Sequence, residues 1–171
     1  MKKLSLMVIS AVCLSSLQSF AKSGDLELIG PGFSWDGKTI PESQVCEKFG
    51  GRGASPPIQV TNIPESTNQL RVLFSDETYA PMNNGGHGII RFSVPAGSQS
   101  LTLQQIPGEV DINFPGVEVE QNHLASDWSG TGGAYLPPCS GGSGNTYAVK
   151  IQALDERNNV LSEGRIVLGV Y

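Results

Sequence analysis

Asp76, Glu77 and His87 bring two carboxylates and an imidazole into one short stretch of the chain. A carboxylate beside an imidazole can orient the ring, move a proton or hold a small polar ligand. The chain has two histidines, so this placement governs most of the acid–base chemistry it offers. Between the acids and His87 lie a Pro81 turn and an Asn83-Asn84-Gly85-Gly86 loop, and strand-like residues flank both sides from Leu73 to Val94. A hairpin-like return would bring His87 back towards Asp76 at the mouth of a sheet. The plain alternative is a pair of strand-end residues satisfied by nearby backbone.

Other chemistries find less support. Ser140 and Ser143 sit in a Ser-Gly-Gly-Ser-Gly run, which is neither a nucleophile elbow nor a phosphate-binding P-loop. A metal site would need His87, His123, Asp76 and Glu77 to converge, and no close ligand spacing supports that. No metal, cofactor or catalytic residue is therefore expected. His123, in the irregular stretch after Gln121, reads as a solvent-exposed loop residue. Trp35 reads as a core anchor, and Trp128 as a candidate cap over a ligand.

The N-terminal residues 1–21 have the form of a secretory signal peptide. Lys2 and Lys3 precede an apolar run from Leu4 to Leu14, and Ser19-Phe20-Ala21 offers a small-residue cleavage site. That run is shorter than the roughly 20 residues a membrane span needs, so no span is expected. Residues 22–171 then form the mature domain, periplasmic or secreted. Loss of the leader leaves 9 basic against 16 acidic residues, a net charge of −7. Such a chain, without a basic cluster, is a poor partner for nucleic acid or an anionic membrane. Cys13 leaves with the leader, and Cys46 and Cys139 remain as an even pair in an oxidising compartment. They are predicted to form a disulfide.

The elements that must position these residues are mainly strands. Strand patterns fall at 25–29, 58–61, 70–75 and 88–94, with weaker ones at 101–106 and 110–114. Tyr147, Val149, Ile151 and Ala153 alternate along one face of a further strand, and 165–170 is a near-continuous apolar closing strand. Residues 42–49 suit one or two helical turns, stopped by Gly50-Gly51. Residues 121–145 form a long Gly/Ser-rich irregular segment. The expected architecture is one mainly β domain of two packed sheets with few short helical turns.

Three blocks in this order resemble the phosphatidylethanolamine-binding protein (PEBP) family, in particular its bacterial branch related to Raf kinase inhibitor proteins. The first runs through Phe33, Asp36-Gly37, Ile40-Pro41 and Cys46 to Ala54-Ser55-Pro56-Pro57-Ile58. The second is Phe74-Ser75-Asp76-Glu77-Thr78-Tyr79-Ala80-Pro81 with Gly86-His87-Gly88. The third is Tyr135-Leu136-Pro137-Pro138-Cys139 with Gly144-Asn145-Thr146-Tyr147 and Ala153-Leu154.

The resemblance implies a PEBP-like β-sandwich with a small pocket for an anion or phosphoryl group. It places Asp76 and His87 in that pocket, with the family's second acid falling at Thr78 or replaced by Glu77. Pro138, Asn145 and Tyr147 would form the opposite wall. The chain departs from the family pattern in three places: Gly88 stands where a tryptophan follows the histidine, Asn145 stands for a second pocket histidine, and Tyr79 is inserted.

The leading expectation is therefore a non-enzymatic binding module for a small anionic or phosphoryl ligand, or for a protein partner that it inhibits. The alternatives are a weak hydrolase with His87 as base oriented by Asp76, and an envelope or host-interaction protein with a vestigial pocket.

Overall fold

The computed structural model describes residues 25–30 and 35–171. The expected signal peptide at 1–21, Phe33 and the side chain of Trp128 lie outside the described residues. The strands form two antiparallel sheets. The smaller takes the order β1 (Glu27–Ile29), β2 (Gln59–Thr61), β5 (Ser100–Thr102). The larger takes the order β6 (Val117–Gln121), β4 (Ile89–Ser93), β3 (Gln69–Asp76), β7 (Thr146–Leu154), β8 (Val160–Val170).

Alternation decides which faces are buried. Leu70, Val72 and Phe74 of β3 and Val149, Ile151 and Ala153 of β7 share a core with Val60 of β2 and Ile90 and Phe92 of β4. The opposite face of the large sheet is mixed, with polar residues along its middle. Arg71 and Arg91, directly paired across β3 and β4, share the Glu120 carboxylate at 2.5 and 2.7 Å. Trp35 is buried in the same core, as its composition suggested. Helical structure amounts to single turns: 3-10 turns at Glu42–Gln44, Glu47–Phe49 and Ala80–Met82, and one α-turn, α1 (Ser126–Ser129).

Three expected strands differ in place or extent. Residues 110–114 form no strand, because the backbone at Glu109 and Val110 bonds to Tyr135 and Ala134 instead of to a sheet. The strand lies just beyond the Pro115-Gly116 turn, where Val117 and Val119 alternate with Glu118 and Glu120. The expected strand at 101–106 ends at Thr102. The closing strand begins earlier than its apolar run, at Val160, because the Asp155–Asn159 turn sends it straight back along β7. In that turn the Asp155 Oδ1 accepts the amides of Arg157 and Asn159, each at 2.8 Å.

A disulfide ties the 42–49 turns to the loop before β7. Cys46 and Cys139 are joined, with Cα atoms 5.3 Å apart and a sequence separation of 93. Among the described residues no helix is long and apolar enough to cross a membrane.

Candidate functional site

Strand β3 ends at Asp76, and the side chain of that residue starts the turn that follows. Its Oδ1 accepts the backbone N–H groups of Thr78 and Tyr79, each at 3.0 Å. The chain then passes through the 80–82 turn and the glycine loop, where Ser75 Oγ accepts the Gly85 amide at 3.1 Å. His87 returns beside β3, its N–H bonding to the Phe74 carbonyl at 3.0 Å. The hairpin thus brings His87 alongside the end of the strand that carries Asp76.

The opposite wall comes from β7 and the loop before it. Tyr147 lies directly across from Asp76 in the β3–β7 register. Asn145 reaches over, its Nδ2 donating to Asp76 Oδ2 at 2.6 Å. The Tyr147 hydroxyl accepts the Cys139 amide at 3.1 Å, and its ring stands edge-on to His87 with centroids 5.3 Å apart. Burial pushes the Tyr147 pKa up to about 12, with the charge of adjacent Asp76 and a hydrogen bond to it adding to the effect and hydrogen bonding with Ser140 and the Cys139 amide opposing it. The result is an open cavity of about 430 Å³ bounded by Asp76, His87, Asn145 and Tyr147, with Tyr79 and Met82 on one flank and Cys139 and Ser140 on the other.

His87 is not oriented by Asp76. Its Nδ1 donates to the Leu136 carbonyl at 2.8 Å, while the Leu136 amide donates to the His87 carbonyl at 3.0 Å. A carbonyl only accepts, so the proton sits on Nδ1 and Nε2 carries the lone pair. Nε2 has no hydrogen-bond partner among the described residues. Burial pushes the imidazole pKa down to about 4, against the Leu136 hydrogen bond and the Asp76 charge, which favour the cation; nearby His123 reinforces the depression. The ring is therefore neutral around pH 7.

This makes His87 a source of acid sensitivity. Between about pH 6.5 and 4 the unfolded chain binds the proton that the folded ring resists. Its stability contribution is complete above the upper value and declines as pH falls towards the lower one. The loss expected is about 3 kcal/mol. Urea titrations at pH 7 and pH 4 should show that extra loss in the wild type relative to His87→Gln, since the carboxylates titrate in both.

Two predicted ligand residues lie elsewhere. Glu77 points away and forms a two-pronged pair with Arg165 on β8, one bond at 2.7 Å and the other between Arg165 Nη2 and Glu77 Oε2. Both side chains are partly exposed. Glu77→Ala is expected to cost below about 1 kcal/mol in thermal melts and to leave any affinity of the cavity unchanged. Pro138 lines a smaller cleft of about 10 Å³ beneath His87, with Phe74, Tyr135 and Leu136. That is room for about one water molecule.

His123 is buried, not solvent-exposed, because the Leu124 amide pins this segment to the Gly86 carbonyl. Its Nδ1 accepts the Ala125 amide at 3.3 Å, and its Nε2 is buried without a partner. Gly88, which stands where the family pattern has a tryptophan, has a structural reason to lack a side chain. Gly88 has φ +122°, and a Cβ there would lie 2.2 Å from the Ala134 carbonyl oxygen. No side chain fits, because 134–136 occupies the space. Met82 and the Leu136 carbonyl were not singled out from the sequence; Tyr79 registered only as an insertion, and Ser140 only as a nucleophile that its Gly/Ser-rich surroundings argue against. Among the described residues no group of three His, Cys, Asp or Glu side chains could hold a metal.

Compared with solved structures, the chain matches that of Escherichia coli YbcL, described as a new member of the mammalian PEBP family. The match has a TM-score of 0.55 and covers 86% of this chain and 98% of that one, at 18% identity. The fold is that of the PEBP family. No protein-family model and no curated protein matches the chain. Within the PEBP fold, the Asp76–His87 hairpin and the Cys139–Tyr147 segment lie at one end of the large sheet, and the disulfide fixes one of them.

Proposed function

We propose that this chain is an exported binding module of the PEBP type, holding a small polar ligand in the cavity between Asp76 and Tyr147. The observation that carries the reading is convergence: Asp76 and His87 of one hairpin and Asn145 and Tyr147 of a segment far from it in sequence line one open cavity. A buried carboxylate and a buried imidazole facing such a space mark a recognition site more often than a stretch of core. The phosphoryl ligand implied by the family resemblance would meet Asp76 and a neutral imidazole, and gains a cationic partner only when His87 is protonated, near pH 4.

The hydrolase reading is weaker on chemical grounds. A base with so depressed a pKa accepts protons poorly at neutral pH. Ser140, the hydroxyl at the cavity, already donates to the Tyr171 carbonyl at 2.6 Å. Docking or inhibition of another protein would use the same end, where Tyr79 and Leu124 are 50% and 57% exposed.

The test is a titration with a panel of small anions, amines and neutral polyols, followed by the ring resonances of His87. A saturable shift for at least one compound, lost on filling the cavity with Ser140→Trp, supports a binding module. No shift from any of them, with turnover of an ester or phosphoester panel that vanishes in His87→Ala, would replace it with the hydrolase.

A further inference from the structure

The turn at 83–86 joins the Asp76 and His87 arms of the hairpin, and none of its residues lines the cavity. The Gly86 amide closes it on the Asn83 carbonyl at 3.2 Å. Its two central residues, Asn84 and Gly85, have φ of +52° and +92°. A tight turn with both central φ values positive favours Asn followed by Gly. That pair also cyclises readily, because glycine sets no Cβ in the way when its nitrogen attacks the preceding side chain.

The sequence has two such pairs, Asp36-Gly37 and Asn84-Gly85, and the structure separates them. Asp36 Oδ1 accepts the Lys38 and Thr39 amides, each at 2.8 Å. Those bonds pin the carboxylate and hold its pKa below the usual range, and an ionised carboxylate is a poor electrophile. Asn84 is exposed, and its neutral side-chain amide has no hydrogen-bond partner among the described residues. The restraint there lies on the nucleophile. The Gly85 amide donates to buried Ser75 Oγ at 3.1 Å, so attack requires the loop to open and that bond to part.

We propose that Asn84 is a site of spontaneous deamidation, gated by the Ser75 hydroxyl. On opening, the Gly85 nitrogen gives its proton to hydroxide and bonds to Asn84 Cγ. The Cγ–Nδ2 bond breaks, and the amide nitrogen takes up a proton and leaves as ammonia. Water then opens the cyclic imide. Hydrolysis at the γ-carbonyl gives aspartate; hydrolysis at the main-chain carbonyl gives isoaspartate, which adds one atom to the backbone. The turn is closely packed: a Cβ on Gly85 would meet Ile89 at 2.4 Å, and one on Gly86 would meet the Met82 backbone at 2.3 Å. The added atom disturbs that packing, and His87 follows directly on Gly86. This chemistry is independent of what the cavity binds.

The full-length protein, kept folded, is sampled over weeks beside the same chain in urea, by peptide mapping that separates aspartate from isoaspartate. Both products are expected at residue 84, forming more slowly in the folded protein than in urea, faster at pH 8 than at pH 7, and not at all in Asn84→Gly. Ser75→Ala frees the Gly85 amide and should speed the folded reaction about fivefold, the change in open population that one hydrogen bond sets. Hydrogen exchange of the Gly85 amide in the wild type keeps the gate testable if Ser75→Ala fails to fold. Low urea should then raise exchange and deamidation in parallel. No product at residue 84 in the folded protein, by the time the chain in urea is fully converted, overturns the proposal. Isomerisation of Asp36 or deamidation of Asn83 ahead of Asn84 also overturns it. So does an unchanged rate in folded Ser75→Ala, or deamidation that does not follow Gly85 exchange.

Discussion

Gly88→Ala is expected to destabilise the protein by roughly 3–5 kcal/mol, the sum of a strained backbone and an unavoidable overlap. The φ of +122° is one that residues with a Cβ rarely adopt, and the Cβ would meet a backbone oxygen at 2.2 Å. Backbone cannot rotate away as a side chain can. Ala134 is held by its own amide bond to the Val110 carbonyl, and Leu136 by its bond to the His87 carbonyl. Any yielding moves the segment whose carbonyl fixes the His87 tautomer, so the injury reaches the site. Gly97→Ala is the control: its φ is +76°, and nothing lies within 4 Å of the added methyl. It should cost only about 1–2 kcal/mol. Urea midpoints compare the two directly. Equal losses would show that strain alone, and not the packing of 134–136, accounts for the glycine.

The same contact shows where sequence reading stops. The hairpin from Leu73 to Val94 was legible, because apolar runs flank a Pro-Asn-Gly loop and such loops reverse the chain locally. The β7 strand was legible from the alternation of Tyr147, Val149, Ile151 and Ala153. The β6 strand was missed although Val117-Glu118-Val119-Glu120 alternates, because the neighbouring 110–114 run is more apolar and its backbone partners lie at 134–135. Long-range backbone bonds leave no trace in local pattern. That is also why the partner of His87 was misjudged. Asp76 stands near it in sequence and can be named from residue types, whereas the Leu136 carbonyl is a main-chain group that any residue could supply. Burial of His123 was hidden likewise, in a Gly/Ser-rich stretch whose composition suggests exposure. Glu77 misled for a simpler reason. Adjacent residues at a strand end point to opposite faces, so Asp76 and Glu77 do not both enter one cavity.

The double substitution Cys46→Ala/Cys139→Ala is expected to remove about 4–5 kcal/mol, since the crosslink closes a loop of 93 residues in the unfolded chain. For a domain of this size that corresponds to a fall in Tm of roughly 10–15 °C. Both residues must go together, because a single change leaves a buried free thiol and a different perturbation. Both sulfur-bearing side chains are buried, with 0% and 4% exposure. A thiol reductant should therefore act slowly on the folded protein and quickly in denaturant, since it must wait for local opening. The bond also matters to the cavity. Cys139 lines it and donates its amide to Tyr147, while the Cys46 amide holds the Pro138 carbonyl at 3.0 Å. These backbone bonds can keep the wall in place once the chain is folded, so the variant should retain the cavity at low temperature and lose it with the fold. A Tm within about 2 °C of wild type would show that the 46 and 139 segments are already close in the unfolded ensemble, which removes the entropic gain. A normal fold with a cavity that no longer binds would show instead that the sulfur bridge, and not the amide bonds, sets the wall.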